Sequence, residues 1–282
     1  MTLTSSKNSA KPTTLRPTRG WVPLNLTELW SFRDLLTVLA GRDVKLRYKQ
    51  TLLGVVWVLL QPLLATGILT FVFGVIAGLK SDDIPYPLLC FAGMLAWSVF
   101  GSTLSKSSMS MVGNAALVSK VYFPRIILPL STVASTLLDL AVSMVPVAVL
   151  MSIWRLGLSW ACFLLPLWVA LLLLMSLGLG LMAAALTVSY RDVQHVLPLL
   201  VPFLMYASPV GYVAKNVPSS YRDIYFLVNP IASLIEGFRW SLIGTSPPPI
   251  WAVAYSIAIA MALFVIGALV FRLMERRFAD VI

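Results

Sequence analysis

Apolar residues along this chain fall into six long runs, at roughly 52–79, 86–112, 124–153, 161–188, 195–213 and 250–271. Hydrophobic positions are near-continuous in each run instead of keeping to one helical face, as in a helix whose surroundings are apolar on every side. A helix needs about 20 such residues to cross the hydrocarbon of a bilayer. The pattern therefore predicts an all-α polytopic membrane protein with six transmembrane helices.

Two stretches depart from this pattern. Before the first run, Leu26, Leu29, Trp30, Phe32, Leu36 and Leu39 recur at three- and four-residue steps. Asn25 stands where a cap belongs, with Glu28 three residues on. An N-terminal amphipathic helix over 25–50 is predicted to lie in the membrane plane, Trp on its apolar face and Arg and Lys on the other. It ends in Arg42, Lys45, Arg47 and Lys49, hard against the first span. That basic tract suits anionic lipid heads or an acidic partner face.

The second departure is Ile224–Gly244, IYFLVNPIASLIEGFRWSLIG, long enough to pass for a seventh span. Asn229-Pro230 breaks it, and Glu236 and Arg239 would stand near mid-bilayer. Two short helices re-entering the outer half of the membrane over 217–246, between spans five and six, fit better. An ordinary amphipathic surface helix is the alternative. Re-entrant backbone needs cover from protein or a watery cavity. At their i, i+3 spacing, Glu236 and Arg239 are placed to pair.

Composition agrees with the pattern. The 282 residues are 59% hydrophobic and 11% charged, with a mean hydropathy of +0.89. A soluble domain of this size does not hide that much apolar side chain. The net charge of +10 does not point to nucleic acid, because the basic residues cluster beside the ends of apolar runs. With the N-terminus inside, nine Lys/Arg precede the first span, and Lys120, Arg125, Arg191, Arg272, Arg276 and Arg277 are also cytoplasmic. Only Lys80, Arg155, Lys215, Arg222 and Arg239 fall outside. Both termini are thus predicted to be cytoplasmic, with Lys106 snorkelling from the inner end of span two. Residues 1–24 are polar and basic without the apolar core of a signal peptide and read as a disordered cytoplasmic tail. Residues 51–272 form the membrane domain, and 273–282 a cytoplasmic C-terminus.

Small residues four apart, Ser176, Gly180 and Ala184 and again Ala254, Ala258 and Ala262, predict a closely packed bundle. Cys90 and Cys162 lie inside apolar segments and read as buried hydrophobes. The single histidine, His195, stands at a span end and reads as a headgroup-level structural residue. No metal site is predicted. The chain holds neither a GxxxxGK[ST] phosphate loop nor a GxSxG elbow, so it reads as a transport subunit and not an enzyme. Asp139 is the one carboxylate deep in a span. It either bonds a Ser or Thr of a neighbouring helix or faces an internal channel. A single acid makes a poor proton wire, so the energy for pumping must come from another polypeptide.

Three stretches carry a family resemblance: RDVKLRYKQTLLG (Arg42–Gly54) running on to Trp57 and Pro62, LVSKVYFPR (Leu117–Arg125) with Pro129-Leu130, and Tyr190-Arg191-Asp192-Val193. Over roughly residues 30–275 the chain resembles the permease subunits of type-2 ABC transporters that export polysaccharides such as O-antigen, capsule and teichoic acid. The resemblance implies a homodimer of permeases in the bacterial inner membrane, bound to two copies of a cytoplasmic ATPase that holds the ATP and Mg. The cargo it implies is a lipid-linked polysaccharide. The in-plane helix and first cytoplasmic loop would dock on the ATPase through Arg42, Lys45, Arg47, Lys120, Tyr122, Phe123, Pro124 and Arg125. Exposed aromatics beside cations suit such an interface. Spans one and five would wall a channel, with Trp57, Gln61, Phe203 and Tyr206 as its sugar-contacting residues. The re-entrant helices, with Asn229, Pro230, Glu236 and Arg239, would form the outer gate. Two other readings stay open: a type-2 ABC permease for a small drug or lipid, and an ion-driven flippase.

Overall fold

A computed structural model describes residues 26–49, 54–79, 81, 84–157, 159–190, 192–275 and 278, which hold helices and turns and no strand. The predicted 1–24 tail, the Asn25 cap, Arg191, Arg276 and Arg277 lie outside the described residues. The chain opens with α1 (Leu26–Ser31) and α2 (Arg33–Lys49). Next come α3 (Gly54–Leu69), which continues as a π-helical stretch over Thr70–Ile76, and α4 (Tyr86–Met109). A short α5 (Ala115–Lys120) precedes α6 (Ile127–Ile153), α7 (Leu165–Ser189) and α8 (Val193–Ala207). Last are α9 (Ser219–Val228), α10 (Ile231–Ile243) and α11 (Ile250–Glu275).

Five of the described helices are long and apolar enough to cross a membrane: α3 with its π extension, α4, α6, α7 with the 3-10 turn before it, and α11. The expected fifth span is shorter than its apolar run. α8 has 15 residues, about 22 Å of helix against about 30 Å of hydrocarbon. Pro198 and Pro202 lie inside it and remove two N–H donors from its ladder. Ser208, Pro209, Val210 and Gly211 then end it in a turn.

α4 and α7 form the buried centre, and α3, α6, α10 and α11 pack around them. One core cluster joins Leu88, Phe91 and Phe100 of α4 with Leu172 and Met175 of α7 and Leu234 and Phe238 of α10. A second joins Leu39 of α2, Val118, Phe123, Ile127, Leu181, Ala185, Phe271 and Phe278. The second cluster marks the basal end, where α2, the 110–126 loop and the end of α11 meet. The opposite, distal end carries α9 and α10.

Hydrophobic gain does little to join helices in lipid, so close approach carries the bundle. A Cβ on Gly267 of α11 would collide with the Gly178 carbonyl oxygen of α7, and one on Gly180 with the Ser107 hydroxyl of α4. Ser176, Gly180 and Ala184 are buried, as the small-residue spacing suggests. The second small-residue stripe was misjudged: Ala254, Ala258 and Ala262 are exposed, and α11 packs through Ala252, Ser256, Ala260, Gly267 and Ala268. On α11 every face is apolar, and spacing alone does not tell which one meets a neighbour.

α2 also differs from expectation. Its apolar side, with Leu35, Leu36 and buried Leu39, packs on the basal core and against α6. Trp30 stands on the separate α1 and does not pack on that core. It is 69% exposed, with the Arg33 guanidinium 5.4 Å from its ring centre.

Candidate functional site

Three polar clusters interrupt the apolar bundle, one at each end and one between. At the basal end, α4 stops at Met109 and the chain turns through Val112–Asn114 into α5. The Arg42 guanidinium of α2 pairs with Asp43 at 3.0 Å and donates to the Asn114 side-chain oxygen at 2.6 Å. The basic helix and the loop after α4, which the sequence places together only by resemblance, are therefore joined by a direct contact. Lys45 and Lys120 are exposed, and Tyr122 is 67% exposed. The Arg47 side chain lies outside the described ones.

Phe123 and Pro124 are buried, against the expectation of an exposed aromatic beside cations. The loop is apolar there because its returning segment plugs into the basal core. Arg125 is likewise drawn inward. Its backbone N–H donates to the Glu275 carboxylate at 3.0 Å, and its guanidinium donates to the Glu275 carbonyl at 2.7 Å. Arg272 pairs with the same carboxylate at 3.1 Å, and the Arg125 guanidinium sits 5.9 Å from the Phe278 ring centre. The loop is thus clamped to the end of α11. Sequence reasoning missed Asn114, Glu275 and Phe278, because nothing in the chain links Arg42 to a position 72 residues on, or Arg125 to one 150 residues on.

Between the ends, Lys106 of α4 does not snorkel outward. Its ammonium group pairs with Asp139 of α6 at 3.0 Å and donates to the Ser135 and Thr136 hydroxyls at 3.0 and 3.4 Å. Asp139 stands midway along α6, where the ammonium charge of a neighbouring helix answers it. Asp139 borders a cavity of about 80 Å³ among α3, α4 and α6.

At the distal end the chain breaks at Asn229-Pro230 into α9 and α10, the two short helices expected. Pro230 starts α10 and Gly244, at φ 72°, ends it. Glu236 and Arg239 pair at 3.1 Å and are almost wholly buried. The guanidinium donates to the carbonyls of Pro209, Val210 and Tyr212 at 2.6, 3.1 and 3.2 Å, and Glu236 accepts from the Ala214 N–H at 2.9 Å. α10 thereby satisfies the irregular backbone after α8, the condition for such backbone at membrane depth. Gly93 makes room for it, since a Cβ there would meet the Arg239 guanidinium and lie 2.5 Å from the Val210 oxygen. Asn229 donates to the Ala207 carbonyl and the Ser208 hydroxyl at 3.2 and 3.0 Å. So Glu236 and Arg239 hold the distal helices from within instead of lining an opening.

The four aromatic and amide positions on α3 and α8 lie on the surface. Trp57 is 57%, Phe203 71% and Tyr206 58% exposed, and Gln61 is exposed at the rim of the cavity. Within one chain they do not converge on a common pocket. The distal ends of the two helices do meet, through Gly211 against Phe73 and the Phe73 and Tyr212 rings 6.0 Å apart.

The profile of the ABC-2 type transporter membrane domain matches residues 34–243. The chain belongs to the ABC-2 type transporter family. The O-antigen export system permease protein RfbA of Klebsiella pneumoniae is 27% identical to it over 252 residues, 88% of this chain and 95% of that protein. RfbA of Myxococcus xanthus is 30% identical over 214 residues, 75% and 81% of the two chains. The polysialic acid transport protein KpsM of Escherichia coli is 28% identical over 200 residues, 69% and 76%. In this ABC-2 type transporter the matched stretch runs from α2 to the end of α10. It holds Arg42, Phe123, Asp139 and Arg239, while the Glu275 end of the basal clamp lies beyond it.

Proposed function

We propose that this chain is the permease subunit of an ATP-driven exporter that moves a lipid-linked polysaccharide out across the bacterial cytoplasmic membrane. It works as a homodimer with two copies of a separate ATPase that binds the ATP and Mg. The observation that carries the reading is similarity, over more than two thirds of the chain, to proteins named for O-antigen export and polysialic acid transport. In this reading α3, α4, α6, α7, α8 and α11 make six crossings with both termini cytoplasmic, and the basal end faces the cytoplasm. α9 and α10 are the re-entrant outer gate. α3 and α8 present Trp57, Gln61, Phe203 and Tyr206 to a path between two protomers, where rings cover the apolar faces of sugars and polar groups meet their hydroxyls.

In this reading the coupling residues are of two kinds. Lys45, Lys120 and Tyr122 offer the surface on which the ATPase docks, with Arg47 beside them in sequence. Arg42, Phe123, Pro124 and Arg125 fix that surface to the bundle, so a push on the loop reaches α2, α6 and α11 together. Replacing Lys120 by Glu and Tyr122 by Ala is expected to weaken ATPase binding by about thirty-fold, the worth of one interface hot spot. The permease itself should still elute as a folded species. Co-purification of the ATPase and retained polymer export in this double variant would reject the docking surface.

A Ser219→Cys variant tests the topology, with Cys162 changed to Ser and buried Cys90 left in place. Ser219 is exposed at the start of α9. An impermeant thiol reagent is expected to label it from the outer side of intact cells. Labelling confined to inverted vesicles would overturn the six-crossing arrangement.

A further inference from the structure

Glu275 is the last residue of α11, and Arg125 stands just before α6. The two helix ends join in three ways. The Glu275 carboxylate accepts from the Arg125 N–H, the Glu275 carbonyl accepts from the Arg125 guanidinium, and the Phe278 ring lies beside that guanidinium. α6 has no capping side chain of its own at Ile126. A carboxylate suits the start of a helix, where backbone N–H groups lack partners, and a guanidinium suits the end, where carbonyls do. Each end therefore completes the other: α11 supplies the acid at the entry to α6, and the loop supplies the cation at the exit of α11.

This mutual capping fixes where a displacement of the basal loop goes. The Ile127 and Leu128 N–H groups bond back to the Pro124 and Arg125 carbonyls at 3.1 Å each, so the returning loop and α6 are one piece. Phe278 is fully buried against Phe271, ring centres 5.5 Å apart, and both share the basal cluster with Val118 and Phe123. Arg272 holds the second carboxylate oxygen. The Glu275 side chain is only 15% exposed, so solvent screens these bonds weakly. Higher on α11, Gly267 lies against the Gly178 backbone of buried α7, and packed contacts of that kind pass strain on. α6 packs mainly on α4 and α2, whereas α11 packs mainly on α7. The route from the loop to α7 thus runs through Glu275.

We propose that Glu275 is a positioning residue of the export stroke: it fastens the loop that the ATPase moves to the basal end of α11, so that the stroke enters the bundle along the α7–α11 seam as well as through α6. The inference rests on the ATP-driven exporter reading above.

The test uses the full permease with its ATPase in lipid vesicles, supplied with lipid-linked polysaccharide extracted from the cells that make the protein. Cys162 is changed to Ser, buried Cys90 is kept, and a fluorescent label is placed on Ala262→Cys of α11 or Val145→Cys of α6, both exposed. ATP is expected to shift the emission of both labels. In Glu275→Ala the α6 label should still respond and the ATPase should stay bound. The α11 response should fall several-fold, and the polymer moved per ATP hydrolysed should fall with it. Glu275→Gln, whose amide oxygen still accepts from the Arg125 N–H, should restore most of both. A merely structural role would lower the melting temperature and leave the α11 response and the polymer-per-ATP ratio of the folded protein as they were. An α11 label that responds equally without Glu275, or stays silent in a protein that moves polymer, overturns the clamp. So does a Glu275→Gln protein no better coupled than Glu275→Ala. If neither label responds and the unaltered protein moves no polymer, the exporter reading beneath fails instead. Should Glu275→Ala fail to fold, Arg125→Met, which keeps the backbone bond and removes the guanidinium, supplies the same comparison.

Discussion

Replacing Arg239 with alanine is expected to abolish accumulation of folded protein at temperatures the wild type withstands. The guanidinium is fully buried and holds Glu236 and three backbone carbonyls at once. Its removal strands a buried carboxylate and leaves those carbonyls, in a turn that cannot form helix bonds, without their donor. Breaking a buried ion pair from one side costs about 3–5 kcal/mol, and little solvent is present here to screen the loss. Glu236→Gln is expected to cost less, because the amide oxygen still accepts from the Ala214 N–H and the guanidinium keeps its three carbonyls. Size-exclusion profiles after heating in mild detergent measure both. An Arg239→Ala protein as heat-stable as wild type would show that the staple does not hold α10 to the turn after α8.

Gly267→Val is expected to separate α11 from α7 and lower stability by about 3 kcal/mol, the upper end of the usual cost of overpacking. The colliding group is the backbone carbonyl of Gly178, which has no rotamer to escape through. A Cβ on Gly178 would in turn lie 2.5 Å from the Leu263 carbonyl carbon, so Gly178→Val should have a similar effect. The two changes together should cost less than their sum, since either one already opens the seam. Ala262→Val on the exposed side of the same helix is the control and should be close to neutral. A Gly267→Val protein with unchanged melting behaviour would mean that the α7–α11 seam is not a tight contact.

Much of the architecture is legible in the chain because lipid imposes simple rules. Five of the six apolar runs return as long helices within a few residues of their predicted ends, and Asn229-Pro230 divides α9 from α10 because proline cannot continue a helix ladder. The Glu236–Arg239 pair is local, three residues apart, so its spacing announces it. The family, too, is readable from the Arg42–Gly54 and Leu117–Arg125 stretches. Phe123 and the Ala254–Ala262 stripe were placed on the wrong side of the boundary between buried and exposed. In each case the residue type is compatible with both environments, and only the neighbour decides.

By itself the sequence determined that this is a bundle of membrane helices with a basic flank. Those properties follow from local composition and from the length of hydrocarbon to be crossed. Only the tertiary structure decided that Lys106 turns inward to Asp139, that Arg125 is clamped by Glu275 and that Gly93 clears space for Arg239. Each of these joins residues 33 or more positions apart. Which helices approach closely enough to form them depends on how side chains interlock in the assembled bundle, and linear spacing holds no record of that.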